Sequence, residues 1–97
     1  MHQRYHRLLR LYSHNHLNKA KEYYSTTIKK AQDGRGYIVR VVEEEQRRGN
    51  VTLDWALGFE KVIETNMIED DIVEIAEKGS SFEFNIKPFE VKTFRII

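Results

Sequence analysis

Two stretches of the chain alternate apolar and polar side chains with a period of two, the mark of a strand with one face on a core and the other in water. Val51, Leu53 and Trp55 alternate with Thr52 and Asp54, and Phe82, Phe84 and Ile86 alternate with Glu83, Asn85 and Lys87. A third stretch, Tyr37 to about Glu44, places Tyr37, Val39 and Val41 on one face and Ile38, Arg40 and Val42 on the other. Two largely apolar faces predict a central strand covered on both sides. Just upstream, YYSTTIKK (residues 23–30) is rich in aromatic and β-branched residues, with Tyr24, Thr26 and Ile28 sharing a face. Asp33-Gly34-Arg35-Gly36 lies between these last two strands. Its residues tolerate positive φ, so it predicts a hairpin connection.

The remaining segments carry weaker patterns. Tyr5, Leu8, Leu9, Leu11 and Tyr12 fall partly at helical spacing, which predicts a short amphipathic helix. Gly58 punctuates the strand at 51–55, and Phe59 to Ile68 reads as a separate strand. Residues 69–78, EDDIVEIAEK, fit a helical turn and a short strand equally by periodicity. Gly79, Ser80 and Ser81 predict a turn. Pro88 has no N–H to give a ladder, so it marks a strand edge, bulge or corner before a last apolar strand from Phe89 to Ile97. About five to seven strands with turns every 8 to 12 residues describe an all-β, mainly antiparallel sandwich.

At 97 residues the chain is one domain with a single modest core. A hydrophobic fraction of 40% and a charged fraction of 32% describe a globular protein. No apolar run approaches the ~18 residues of a membrane span, and no hydrophobic leader opens the chain. With no cysteine there are no disulfides or thiolate metal sites, so a cytoplasmic location is the expectation. The formal charge of +1 hides an asymmetry, because residues 1–30 carry +6 and the rest −5. A basic arm, residues 1–22, taken as a short helix or a disordered segment, therefore precedes a sandwich domain, residues 23–97.

Four groupings invite a chemical reading. The acidic clusters Glu43-Glu44-Glu45 and Glu69-Asp70-Asp71 fall at expected turns, where water solvates carboxylates and no apolar pocket raises a general acid. The pairs His2/His6 and His14/His16 lack the further ligands of a zinc site. The DGRG loop lacks the Gly-Lys-Ser/Thr ending of a phosphate cradle. Lys29, Lys30 and Arg40 lie near aromatics, but no nucleic-acid-binding motif accompanies them. No catalytic, cofactor or metal residue is assigned. Trp55 and Tyr37 are the candidate carbohydrate contacts, by stacking on sugar rings; the competing reading places Trp55 in the core beside Val51 and Leu53.

The segments IKKAQDGRGYIVRVVEEEQRRGNVTLDW, FEKVIETNMIED and SFEFNIKPFEVKTFRII add a resemblance, from roughly Ser25 to Ile97. A Lys-rich strand, an Asp-Gly turn, an Arg-bearing strand ending in Glu and a terminal Pro-Phe-Glu strand follow in that order. This order resembles the small C-terminal β-sandwich domain of family 38 glycoside hydrolases, the α-mannosidases. In that family the zinc site and carboxylate nucleophile belong to a larger α/β domain, so the resemblance implies a non-catalytic accessory domain without a cofactor of its own. The partner it implies is an α-mannosidase catalytic domain or subunit, with self-association as a further expectation. The alternatives are a stand-alone carbohydrate-binding module and, with less in its favour, a basic-arm nucleic-acid-binding protein.

Overall fold

The computed structural model describes residues 8–13 and 24–97, which form six strands and no helix. They are β1 (Leu9–Ser13), β2 (Tyr24–Lys30), β3 (Tyr37–Glu43), β4 (Gly49–Thr65), β5 (Asp71–Ile86) and β6 (Val91–Ile96). Every pairing is antiparallel, in the order β1-β4-β6-β3-β2, with β5 paired to β4. β2 and β3 form the expected hairpin, in register from Tyr24↔Glu43 to Lys30↔Tyr37. Its loop is closed locally: the Gly34 N–H donates to the Ala31 carbonyl at 3.1 Å, and the Arg35 N–H donates to Asp33 Oδ1 at 3.0 Å. Gly36 sits at φ 76° with its α-carbon against the Ile96 carbonyl, where any Cβ would collide with that oxygen. Only glycine meets both demands.

β4 and β5 are long and carry the chain between two layers. Residues 51–55 of β4 pair with β1, while residues 62–65 pair with β6. The register with β5 breaks between Asp54 and Phe59, where Gly58 adopts φ 73°. A bulge at this point bends the hairpin, so its two halves lie in different layers of one continuous six-stranded sheet. The smaller layer is β1 with the first half of β4 and the second half of β5. The larger is the first half of β5, the second half of β4, β6, β3 and β2.

Side chains from both layers meet between them. Phe82 and Phe84 of the smaller layer lie 5.1 and 4.8 Å, ring centre to ring centre, from Phe94 of the larger one. Val39, Val41, Val51, Leu53, Val62, Ile86 and Ile96 fill the space around these rings, all buried. Each such side chain contributes roughly 1.5 to 3 kcal/mol relative to exposure, so this inter-layer packing is the main source of stability. The all-β antiparallel sandwich read from the alternation is the observed fold, and β3 is the central strand it predicted.

The weaker patterns resolve differently. Residues 9–13 are a strand and not a helix, because Leu9 and Leu11 alternate with Arg10 and Tyr12 and sit opposite Trp55 and Leu53 in register. The segment at 69–78 resolves as strand from Asp71 onward, Glu69 and Asp70 belonging to the connection before it, and no turn interrupts residues 79–81, since β5 runs through them. The stretches at 51–55 and 59–65 are one bent strand. The rest of the basic arm, with its four histidines and its boundary near residue 22, lies outside the described residues.

Candidate functional site

Glu43 ends β3 with its carboxylate fully buried. Oε2 accepts the backbone N–H groups of Glu45 at 3.0 Å and Arg47 at 2.8 Å, and Oε1 accepts that of Phe89 at 2.8 Å. Burial pushes the carboxyl upward, but the N–H groups of Phe89, Arg47 and Glu45 together outweigh it, so its pKa lies below the ordinary value. The residues it holds are strained: Gln46 and Phe89 both sit at φ 60°. Pro88 and Phe89 occupy the centre of a tight turn closed by the Glu90 N–H on the Lys87 carbonyl, 3.0 Å away. Proline followed by a positive φ is the type II arrangement, which normally takes glycine at the second centre. Glu43 thus ties two strained turns to one strand end.

Arg95 forms a second buried polar centre, on the face of β6 opposite Phe94 and Ile96. It is 2% exposed and lies between Ile38 of β3 and Ile63 of β4 in register. Its guanidinium donates to Asp71 Oδ1, Asp33 Oδ1, the Arg35 carbonyl and the Glu69 carbonyl, all at 2.8 to 2.9 Å. These partners come from the β2–β3 loop and the β4–β5 turn. Lys29 Nζ meets Glu69 Oε2 at 2.6 Å, and Arg40 Nη2 donates to the Met67 carbonyl at 3.0 Å. Asp33 is held below its ordinary pKa first by the Arg35 N–H and then by Arg95, and Glu69 first by Lys29. The β4–β5 turn is thereby clamped onto the outer face of the larger layer.

For Glu43, Glu69 and Asp71 these two centres correct the reading of the acidic clusters as solvated, while Glu44, Glu45 and Asp70 are exposed as that reading had them. Glu43 is buried, and Glu69 and Asp71 serve as fixed acceptors. Apart from the two bonds of Glu43 to Glu45 and Arg47, their bonds bridge residues 24 to 46 positions apart, with no local signal in the sequence. Every buried side-chain nitrogen or oxygen among the described residues has a partner, and no group of three or more His, Asp or Glu among them is placed to hold a metal ion. Trp55 is 2% exposed and packs against the half-buried Tyr37, ring centres 5.4 Å apart, in keeping with the core reading. An indole so enclosed offers no face to a sugar ring. Arg40 is spent on the Met67 carbonyl and on Thr93 Oγ1 at 3.4 Å, and Lys29 on Glu69.

Residues 23–94 match the family described as the glycosyl hydrolases family 38 C-terminal beta sandwich domain. The chain belongs to this family. Within this family-38 sandwich, the pieces that carried the resemblance are joined to one another in space. The Glu that ends β3 holds the N–H of the Phe in Pro-Phe-Glu, and the Asp of the Asp-Gly turn holds the Arg of the terminal strand. Alpha-mannosidase G of Dictyostelium discoideum is 39% identical over 80 residues, covering 73% of this chain and 7% of the relative. The family-38 sandwich thus spans a small part of the length of the curated relative it matches. No solved structure gives a significant match.

Proposed function

We propose that this family-38 sandwich is a non-catalytic accessory domain that supports mannoside hydrolysis by an α-mannosidase catalytic polypeptide. The observation that carries the reading is the match of residues 23–94 to the family's C-terminal sandwich, a piece corresponding to 7% of a relative named as an α-mannosidase. The use of Glu43, Asp33, Asp71 and Glu69 as structural acceptors supports it, because a carboxylate saturated by N–H donors is poorly placed to exchange protons with a glycosidic oxygen.

A segment exchange tests this. Deleting the matched 80-residue segment of alpha-mannosidase G should remove hydrolysis of an aryl α-mannoside or sharply shorten the enzyme's thermal half-life. Installing residues 23–97 of this chain in its place should restore both. The reading fails if the deletion is without effect, or if this chain alone turns over the mannoside and loses that turnover on Glu43→Gln or Glu69→Gln.

A further inference from the structure

Five of the ten exposed large hydrophobic side chains among the described residues fall within nine positions: Met67 (62% exposed), Ile68 (76%), Ile72 (62%), Val73 (50%) and Ile75 (36%). They occupy the β4–β5 turn and the first half of β5, which is an edge of the larger layer because β5 pairs with β4 and with no other strand among the described residues. The turn is rigidly held. Asn66 Oδ1 accepts the N–H groups of Ile68 and Asp70 at 3.0 and 2.9 Å, while Arg40 and Arg95 draw the carbonyls of Met67 and Glu69 toward the sheet. The backbone is bound inward, and the side chains of Met67 and Ile68 are left in water. An apolar surface ordered before contact loses less entropy on binding.

The edge is built against strand addition. The register steps from Val62↔Ala76 to Ile63↔Glu74 and from Glu64↔Val73 to Thr65↔Asp71, leaving Ile75 and Ile72 without cross-strand partners. Two bulges so close together break the regular ladder that a foreign strand would extend, and they re-aim the residues they carry. The strip is therefore suited to contact through side chains. Residues 69–77 hold five carboxylates and no base. Glu69, Asp71 and Glu74 are paired with Lys29, with Arg95 and Arg35, and with Lys61, so the acidic character of the rim comes from Asp70 and Glu77. A two-fold contact that brought these two acids of both copies together would set acid against acid, which disfavours self-association here.

We propose that this strip docks the sandwich onto the remainder of an α-mannosidase polypeptide, through a covering surface that is apolar at its centre and carries lysine or arginine at its rim. The inference rests on the accessory-domain reading, in which the far longer relative supplies the missing cover. The probe is alpha-mannosidase G lacking its matched segment, with binding of this chain followed by titration. Two pairs of changes remove the strip's apolar character, Ile72→Lys with Ile75→Lys and Met67→Ser with Ile68→Ser. Each should weaken binding by about tenfold or more, the loss typical of central interface residues, while Leu57→Lys at another exposed site leaves it unchanged. Thermal melting of the variants should match the unaltered chain, and the second pair serves if the first unfolds. Undiminished binding by both pairs overturns the assigned surface and leaves the accessory role standing, whereas failure of the unaltered chain to bind overturns both. A dimer in sedimentation equilibrium that dissociates on Ile72→Lys with Ile75→Lys overturns the choice of partner.

Discussion

Glu43→Gln changes one oxygen to an amide nitrogen and nothing else in size, so it isolates what the buried carboxylate does. If the glutamine carbonyl takes the Oε2 position it keeps Glu45 and Arg47, but its NH2 then faces the Phe89 N–H, donor against donor. In the reverse orientation two donors are lost and one is kept. A bond to a charged acceptor contributes about 1.5 to 3 kcal/mol, and a buried donor left unmatched costs a similar amount. The better orientation should therefore destabilise the fold by ~2 to 4 kcal/mol, or on the order of 10 to 20 °C in Tm for a domain of this size. The assay is thermal unfolding by circular dichroism at pH 7. The pH dependence adds a second reading. The folded-state pKa of Glu43 lies below the ordinary carboxylate value, so its stabilisation is present above about pH 4.3 and is lost as pH falls through the folded value. The gap between the unaltered chain and Glu43→Gln should then close in acid. A Tm at pH 7 within about 3 °C of the unaltered chain would refute the role given to the carboxylate.

Other outcomes follow from the same geometry. Gly34→Ala and Gly36→Ala both force alanine into positive φ, but only the second drives a Cβ into the Ile96 carbonyl. Gly34→Ala should cost roughly 1 to 2 kcal/mol and Gly36→Ala at least twice that in urea unfolding, and equal losses would count against the close approach of β6. Arg95→Met should destabilise by about 2 to 3 kcal/mol, below the usual range for a broken buried pair because Asp33 and Asp71 retain access to water. Amide exchange should quicken most at residues 31–36 and 66–71; uniform quickening would mean that Arg95 does not clamp those loops. Deleting residues 89–97 removes β6 from between β3 and β4, together with Phe94 and Ile96, and should leave no cooperative unfolding transition. A sharp melt of the truncated chain would place the core elsewhere.

The strands that pack on the core through one face were legible in the sequence, because that requirement writes itself locally as alternation at 51–55 and 82–86. The β2–β3 hairpin was legible for a related reason, since glycines at 34 and 36 answer a demand made within a few residues. Where a strand begins and ends was another matter. A glycine at positive φ serves a turn and a bulge alike, so Gly58 reads as a break until the partner strand shows β4 continuing past it. Leu8, Leu9, Leu11 and Tyr12 fit a helical face as well as a strand, and the decision falls to Trp55 and Leu53, more than forty positions away. The uses of Glu43 and Arg95 lay furthest from reach. A carboxylate at a turn is solvated by default, and only the return of the Pro88–Phe89 turn over the end of β3 brings Glu43 the N–H that, with two local ones, lets it stay charged without water. Local chemistry could specify which faces are apolar. Which polar groups go dry depended on segments that meet only once the two layers have closed.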